Sequence, residues 1–526
     1  MINTKTISSV ILILFLLITS NTLGDTTRNS FGHFNSSLSK PNKKRPTLPL
    51  TTTSQSGRFK FHYTLTGYDA IDSTCTNDLN IPDWIYEAEL AAEKGYHILV
   101  DSLKFAPPPT DGNEYDIYFL NLGRQYGQTF PEDPVTMTDR SHDFTSYMVI
   151  ENDFKGNFQT HGIQALQVTI VHEYFHAVQL GYAFNTNNYL PKMYYGDAFF
   201  LEWSSTWFED YCYPEVNDYI AYINNFVSYM DNPIWTYSGN WHYGVSGFLK
   251  FLVDNYSTRI ITKTWDKIKD GERAFFALKE TIEKVSDRSF PDTYNEYCAR
   301  LFYSGANYDL HHSVSSDAGL IKKVYVDWGD RYEYNNFLTI QSSLPVFSTR
   351  PIEITFLTKD HYGLEENRQF DDRFIGRFVL NNNHSPIINT IDLDSDQYIE
   401  KSNLQDTLIL FLTNQNIEES SELNLHIKYI KPEHQFFVHK LFPNPIDAGN
   451  ALTVHVATEE TTEKIEMIIY NLTGQKIHQK IFQKKQDNLY SLSLQNHINY
   501  PLASGIYLLK VRADGKEELK KFTIIK

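Results

Sequence analysis

The spacing of apolar residues changes along this chain, and that change constrains the fold more than any other feature of the sequence. Short segments that alternate apolar and polar residues, such as FKFHYTL from Phe59, come first, and residues 162–310 then follow mainly helical spacing. After about residue 315 only short alternating runs occur, separated by Asn, Asp, Ser and Gly. The pattern predicts an α+β domain followed by β-rich domains.

A chain of 526 residues is too long for a single hydrophobic core. We therefore predict a multidomain protein. Its predicted parts are a signal peptide at 1–24, a disordered linker or short pro-segment at 25–57, an α+β domain at 58–310, an all-β sandwich-like domain at 311–435 and a small β-sandwich at 436–526.

The N-terminus has the composition of a secretory signal peptide. Lys5 precedes an apolar run from Val10 to Ile18, and a small residue, Gly24, follows a polar stretch. The run is shorter than the roughly 20 residues that span a bilayer. We expect the mature protein to have no transmembrane segment, the alternative being an uncleaved N-terminal anchor.

Charge and cysteine content exclude other classes of protein. A net charge of -17 argues against nucleic acid as a partner, because phosphates select a surface rich in Lys and Arg. Cys75, Cys212 and Cys298 are too scattered for a cysteine-based zinc site. One disulfide among them is possible, and the sequence does not choose the pair.

The stretch VHEYFHAVQ places two histidines four residues apart with a glutamate between them. On a helix, His172 and His176 lie one turn apart on the same face, so both imidazoles can reach one ion. In HExxH sites the histidines bind zinc and the glutamate, here Glu173, lies beside the metal-bound water. We therefore predict a Zn²⁺ cofactor. The alternative is a pair of buried histidines that are hydrogen-bonded to the backbone.

A third ligand is expected from the next helical segment, DAFFLEWSSTWFEDY. On a helix Glu202 and Glu209 share a face with small residues, and the large aromatic residues point away. Packed antiparallel to the first helix, this helix would supply Glu202 as the third ligand. Glu209 would be a hydrogen-bonding partner of a ligand or the alternative ligand. The competing interpretation is that both are solvated helix carboxylates.

These two segments resemble the gluzincins, zinc peptidases that carry HExxH on one helix and a glutamate ligand on the next. More narrowly, FKFHYTLTGYDA, NDLNIPDWIYEAE and PPPTDGNEYDIYFLNLG, in this order, are similar to a family of predicted secreted bacterial metalloproteases. The resemblance covers roughly residues 58–260 and implies a zincin-like catalytic domain at 58–310. The gap between His176 and Glu202 is longer than in the best-known gluzincins.

The residue types suggest a mechanism. Zinc would activate a water molecule, and Glu173 would accept its proton and pass it to the leaving amine. The segment YSGNWHYGVSGFLKFLVDNY resembles a gluzincin helix that offers Tyr or His to the developing oxyanion, which implies Tyr243, with His242 as the second candidate. The alternative is an aromatic residue packed at a helix start. The resemblance also implies that the strand TSYMVIEND pairs with an extended peptide along its edge.

The last ninety residues predict a small β-sandwich, since three segments alternate apolar and polar residues between turns. FPNP from Phe442, YNLTGQKI from Tyr470 and SGIYLLKV from Ser504 closely resemble the type IX secretion C-terminal sorting domain. The resemblance implies export across the outer membrane by the type IX machinery. A carbohydrate-binding or spacer β-domain is the alternative.

Together these features predict a secreted or cell-surface zinc metallopeptidase that acts on protein or peptide substrates. Two alternatives stay open: an exported binding or adhesive protein with a degenerate HExxH helix, and a zinc hydrolase of a non-peptide substrate.

Overall fold

A computed structural model describes residues 45–137, 142–182, 198–236, 240–327, 331–334, 337–356, 362–364, 374–381, 387–391, 397–399, 407–428, 436–447, 450–458, 462–485, 489–493 and 503–525. The predicted signal peptide, and residues 25–44 of the predicted linker, lie outside these ranges. The described residues of 45–428 form one compact unit, apart from 362–363 and 398–399, which group with a second unit from residue 436 onward.

The first unit begins with a mixed sheet of strand order β1-β2-β3-β5-β4. Its strands are β1 (Leu50–Thr53), β2 (Phe59–Tyr63), β3 (Tyr115–Leu120), β4 (Gly127–Met137) and β5 (His142–Glu151). Strands β2, β3 and β5 are parallel, whereas β1 and β4 pair antiparallel to their neighbours. The alternation in FKFHY correctly predicts which side chains of β2 are buried: Phe59, Phe61 and Tyr63 are buried, and the residues between them are half-buried.

Every described α-helix except the first, which lies between β2 and β3, follows the sheet in the chain, as the change in spacing predicts. Their bounds are α1 (Asp83–Tyr96), α2 (Gly162–Leu180), α3 (Ala198–Cys212), α4 (Ile220–Ser228), α5 (Trp241–Gly244), α6 (Ser246–Asn255), α7 (Arg259–Lys269), α8 (Ala274–Ser286) and α9 (Phe290–Arg300). A π-helical turn, His97–Ser102, extends α1, and 3-10 turns occupy Leu301–Tyr303, Gly305–Asn307 and Ala318–Leu320.

Helix α2 lies between the sheet and the other helices. Tyr174 packs edge-on against Phe59 of β2 at 5.4 Å between ring centroids. The next residue, Phe175, points the other way and packs against Phe208 of α3 at 5.2 Å. From Val168 onward every residue of α2 is buried. The helix that carries HExxH is therefore enclosed on all sides, which holds its side chains in fixed positions.

Residues 45–57 are more ordered than the predicted linker. Leu50–Thr53 pairs with β2 as strand β1, and Leu48 packs against the buried cluster of Tyr118, Tyr147 and Val149. Arg45 binds the carboxylates of Asp116 (2.7 Å) and Glu132. A disordered linker therefore does not extend to residue 57, because this polar segment gains order from strand pairing and ion pairs that its composition does not reveal.

The remaining strands within the described ranges lie where the sequence predicts β-structure. They are β6 (Arg331–Tyr334), β7 (Phe337–Leu344), β8 (Thr349–Phe356), β9 (Tyr362–Leu364), β10 (Phe374–Asn381), β11 (Ile387–Ile391), β12 (Gln397–Ile399), β13 (Thr407–Asn414) and β14 (Ser421–Lys428), followed by β15 (Phe437–Phe442), β16 (Ile446–Asp447), β17 (Ala451–Ala457), β18 (Lys464–Asn471), β19 (Lys476–Gln483), β20 (Leu489–Ser493), β21 (Gly505–Ala513) and β22 (Lys516–Ile525).

The predicted boundary at residue 310 does not separate two compact units. Strands β11-β10-β13-β8-β6 form one sheet, and β7 pairs antiparallel with β14. Phe347, between β7 and β8, stacks on Phe290 of α9 at 5.1 Å and contacts Phe275 of α8 at 5.6 Å. Asn295 of α9 donates to the Phe411 carbonyl of β13 (3.0 Å). One hydrophobic core therefore runs through both the helices and these strands.

The second unit is the predicted small β-sandwich. One sheet has the order β15-β17-β20 and the other β16-β22-β21-β18-β19. The apolar residues of the three alternating segments are buried in one shared core: Leu452, Val454, Val456, Ile465, Met467, Ile469, Tyr507, Leu509 and Val511.

Two further expectations concern the chain as a whole. Cys75, Cys212 and Cys298 are all free thiols, so none of them forms the possible disulfide. Within the described ranges, none of the helices combines the length and apolar character needed to cross a bilayer.

Candidate metal centre

Three ligand atoms from α2 and α3 converge in the interior of the first unit. The Nε2 atoms of His172 and His176 are 3.0 Å apart. Oε2 of Glu202 lies 3.4 Å from the first of these nitrogens and 3.5 Å from the second. All three side chains are fully buried. They form the metal-ligand cluster that is found among the described residues.

The spacing fits a tetrahedral zinc ion. Zinc binds nitrogen and oxygen ligands at about 2.0–2.1 Å, and at the tetrahedral angle such ligand atoms lie roughly 3.3 Å apart. The three separations of 3.0, 3.4 and 3.5 Å bracket that value. Three protein ligands also leave the fourth position of a tetrahedron for water, as in catalytic zinc sites.

Hydrogen bonds on the far side of each imidazole fix which nitrogen faces the cluster. His172 Nδ1 lies 2.5 Å from Oε1 of Glu209, and His176 Nδ1 lies 2.7 Å from Oε1 of Gln179. When each Nδ1 donates to these oxygens, each neutral ring presents its Nε2 lone pair to the cluster. Two lone pairs and a carboxylate then meet in a buried space, and this arrangement requires either a metal cation or a proton to offset its negative charge.

The amide of Gln179 is itself oriented by α3. Its Nε2 lies within 3.1 Å of the Leu201 carbonyl and of the Ser204 and Ser205 hydroxyl groups, all of which can accept hydrogen bonds. The amide oxygen must therefore face His176. Gln179 thus connects a histidine ligand to the residue that precedes Glu202.

The contacts between α2 and α3 show that the two helices are antiparallel, as predicted. His172 contacts Glu209, whereas Gln179 contacts Leu201. This direction decides between the two candidate carboxylates. One carboxylate oxygen of Glu202 belongs to the cluster. Glu209 instead contacts Nδ1 of His172, the nitrogen that faces away from the cluster, so Glu209 is the hydrogen-bonding partner of a ligand.

Glu173 lies between α2 and strand β4. The Thr129 hydroxyl is 2.8 Å from Oε2 of Glu173 and 2.9 Å from the carbonyl oxygen of the same residue. Oε1 is buried and has no hydrogen-bond partner within the described part of the protein. Burial raises the pKa of Glu173, although the nearby His176 and His172 oppose the shift.

The buried charges of His172 and Glu202 stabilise each other. Burial alone lowers the pKa of His172, but hydrogen bonds with Glu202 and Glu209 outweigh it and raise the pKa to about 9. Burial raises the pKa of Glu202, and the charges and hydrogen bonds of His176 and His172 reverse this and lower it. A proton on His172 can therefore supply the positive charge that the cluster requires when no metal is bound.

The structure brings the oxyanion candidate Tyr243 next to the cluster and places His242 beside Tyr243. The ring centroid of Tyr243 lies 6.4 Å from that of His172, and the His242 ring lies 4.2 Å from Tyr243. Both residues are buried on the short helix α5. At Gly244, an added Cβ would lie 2.2 Å from the Tyr222 carbonyl oxygen, so α5 can approach α4 this closely only with glycine there.

The strand that the resemblance implied as a peptide-pairing edge is not at the edge of the sheet. Residues 145–151 of TSYMVIEND lie in β5, which comes between β3 and β4 in the sheet and is therefore not an edge strand. In the described part of the sheet the edge strands are β1 and β4, and β4 is the one that contacts Glu173. The prediction was wrong because alternation identifies a strand, whereas its neighbours in the sheet depend on the whole chain.

Two residues of the site were not assigned a role from the sequence. Gln179 lies on the same helical strip as the histidines, so its spacing from His176 was a usable signal. Thr129 is 44 residues from Glu173 and gives no local signal in the sequence.

Two family models match separate parts of the chain. Residues 440–526 match the secretion system C-terminal sorting domain. This match confirms the predicted sorting domain and its consequence, type IX export to the cell surface or the medium. Residues 85–346 match a family of unknown function (DUF6055). That range contains every candidate residue of the metal centre.

Other comparisons add little about the first unit. No curated protein matches the sequence. Among solved structures, PorZ, a surface component of the type-IX secretion system of Porphyromonas gingivalis, matches 22% of this chain at 16% identity, with a TM-score of 0.14. Dimeric latent PorU from Porphyromonas gingivalis matches 37% of the chain at 11% identity, with a TM-score of 0.18. The matches span only 14% and 19% of those two proteins, and TM-scores this low do not establish a shared fold.

Proposed function

We propose that this exported protein is a zinc-dependent peptidase whose active site is the cluster of His172, His176 and Glu202. The observation that carries the proposal is the convergence of two imidazole nitrogens and one carboxylate oxygen at 3.0–3.5 Å. The hydrogen bonds from Glu209 and Gln179 orient the two imidazoles so that each Nε2 faces the Glu202 carboxylate. This arrangement is expensive without a cation, and its geometry matches zinc.

In this proposal the protein groups have distinct roles. Zinc, when bound, would lower the pKa of its water towards ~7 and polarise the scissile carbonyl. Glu173 accepts a proton from the attacking water and delivers it to the leaving amine, and its buried setting favours the protonated form in between. Tyr243, with His242 beside it, is the candidate donor to the developing oxyanion.

A peptide substrate is favoured by the position of β4. An edge strand can pair with an extended chain through backbone hydrogen bonds. The first part of β4, from Gly127 to Phe130, precedes the prolines at 131 and 134 and so keeps its backbone N–H groups. The same part contacts Glu173. A peptide added at this edge would therefore run beside the general base.

Metal analysis of the purified full chain tests the proposal. We expect about one zinc per chain in the wild type and in Glu173→Gln, and little in His172→Ala or His176→Ala. The exposed His311 supplies the control, and His311→Ala should keep its zinc. Equal and negligible zinc in all five proteins would refute the proposed metal centre.

Activity then separates the proposed function from its alternatives. Unfolded casein and a mixed peptide library should be cleaved by the wild type and not by Glu173→Gln. Zinc without peptide cleavage, together with hydrolysis of esters or glycosides, would identify a hydrolase of another class. Zinc without any Glu173-dependent hydrolysis would identify a binding protein.

A further inference from the structure

Strand β4 is shaped around the side chain of Glu173 at two consecutive inward positions. Residues two apart on a strand share a face, so Gly127 and Thr129 both point towards α2. At Gly127 an added Cβ would lie 2.9 Å from Cγ of Glu173 and 2.8 Å from Cγ2 of Thr169. Glycine is therefore required there for the strand to lie this close to the glutamate.

Thr129 makes a specific contact in the space that Gly127 leaves. Its side chain is fully buried, and its hydroxyl lies 2.8 Å from Oε2 of Glu173 and 2.9 Å from that residue's carbonyl oxygen. One hydroxyl thus touches both the side chain and the main chain of Glu173. The contact adds a specific hydrogen bond that fixes the orientation of the buried carboxylate.

We propose that Thr129 is a positioning residue that holds the carboxylate of Glu173 by Oε2 and leaves Oε1 to meet the reacting water. This inference rests on the proposed function and deepens it. The edge strand that would pair with the substrate is the same strand that holds the general base. Strand β4 therefore sets the relative position of the two reacting partners, which is the geometric requirement for efficient attack.

A purely structural role for the Thr129 hydroxyl makes different predictions. In that case its loss would lower the zinc content, or would change kcat and KM together. A positioning role lowers kcat alone, because the substrate still binds and the base is misplaced only for the chemical step.

The test compares three variants of the full chain. Thr129→Val keeps the shape and the β-branch but removes the hydroxyl, and Thr129→Ser keeps the hydroxyl. Thr145→Val is the matched control, because Thr145 is a buried threonine of the neighbouring strand whose hydroxyl bonds Asp133 instead of Glu173.

We expect Thr129→Val to retain its zinc and its KM while kcat falls about 10- to 100-fold, the range for losing a hydrogen bond to a charged group. Thr129→Ser should recover most of the activity, and Thr145→Val should match the wild type. An unchanged kcat in Thr129→Val, or equal losses in Thr129→Val and Thr129→Ser, would overturn the inference. So would loss of zinc in Thr129→Val.

A second measurement needs neither zinc nor a substrate. The thermal unfolding midpoint of the metal-free protein is compared for Thr129→Val, Glu173→Ala and the double variant. We expect the shift caused by Thr129→Val to fall to half or less in the Glu173→Ala background, because the two side chains act as a pair. Additive shifts would overturn the inference. If the wild type binds no zinc, the proposed function fails, and this comparison still decides whether the pair exists.

Discussion

Replacing Glu209 with Gln should weaken zinc binding without abolishing it. Oε1 of Glu209 lies 2.5 Å from Nδ1 of His172, and both side chains are buried. The variant keeps an acceptor but loses its charge. A hydrogen bond to a charged group contributes about 1.5–3 kcal/mol and a neutral one about 0.5–1.5 kcal/mol, so the expected loss is about 1–2 kcal/mol. That loss corresponds to roughly 5- to 30-fold in zinc affinity.

The assay is competition for zinc against a fluorescent chelator of known affinity. Glu202→Gln is the comparison, because a ligand's loss should cost far more than its partner's loss. The exposed Glu215, just beyond α3, supplies the control variant Glu215→Gln, which should bind like the wild type. The reasoning is refuted if Glu209→Gln is as damaging as Glu202→Gln, since Glu209 would then be a ligand. An unchanged affinity would equally refute it.

Three further predictions concern folding and pH. A chain truncated after residue 310 loses Phe347, which packs against Phe275 and Phe290, so we expect it to lack the cooperative thermal unfolding of a chain ending at residue 428. Arg45→Met should lower the free energy of unfolding by about 2 kcal/mol at pH 7, because it leaves the carboxylates of Asp116 and Glu132 without the Arg45 cation. The Arg45 side chain is only 24% exposed, so solvent screens these ion pairs incompletely. Burial raises the pKa of Asp116, but the His62 hydrogen bond and the Arg45 charge lower it overall. The loss of unfolding free energy caused by Arg45→Met, measured by denaturant titration, should therefore shrink as pH falls below about 4. Because the pKa of His172 is raised to about 9 in the metal-free protein, zinc must displace a proton there, and the measured zinc affinity should rise with pH up to about 9 and then level off. The same proton stabilises the metal-free fold most below about pH 6.5, and that contribution should be lost as pH rises through about 9.

Local sequence patterns were sufficient to predict the parts of the site that depend on residues close together in the sequence. The spacing of His172 and His176 follows from one helical turn, so the sequence alone predicted that their nitrogens could meet. The spacing of Glu202 and Glu209 is two turns of helix, and for that reason both lie on the same face. Helical geometry cannot choose between them. The choice came from the antiparallel packing of α3 against α2, which brings Glu202 to the cluster and Glu209 behind His172.

Local patterns also failed to predict which strands are neighbours in the sheet and where the first compact unit ends. The alternation in TSYMVIEND identified a strand correctly, but its place between β3 and β4 depends on pairing with residues far away in the sequence. The change of spacing near residue 315 was real, yet it did not mark a separate core. Phe347 packs against Phe275 and Phe290, which precede it by more than fifty residues, and no local pattern records that contact.

The sequence by itself determined most of the helices and strands, though not β1, as well as which histidines share a helical face and that the tail carries a sorting signal. These properties arise from neighbours along the chain, whose geometry is set by backbone periodicity. Only the tertiary structure decided which carboxylate joins the histidines, which strand forms the edge beside Glu173, and that Thr129 contacts that glutamate. Those relations join distant parts of the chain, and they are fixed by how the elements pack around a common core.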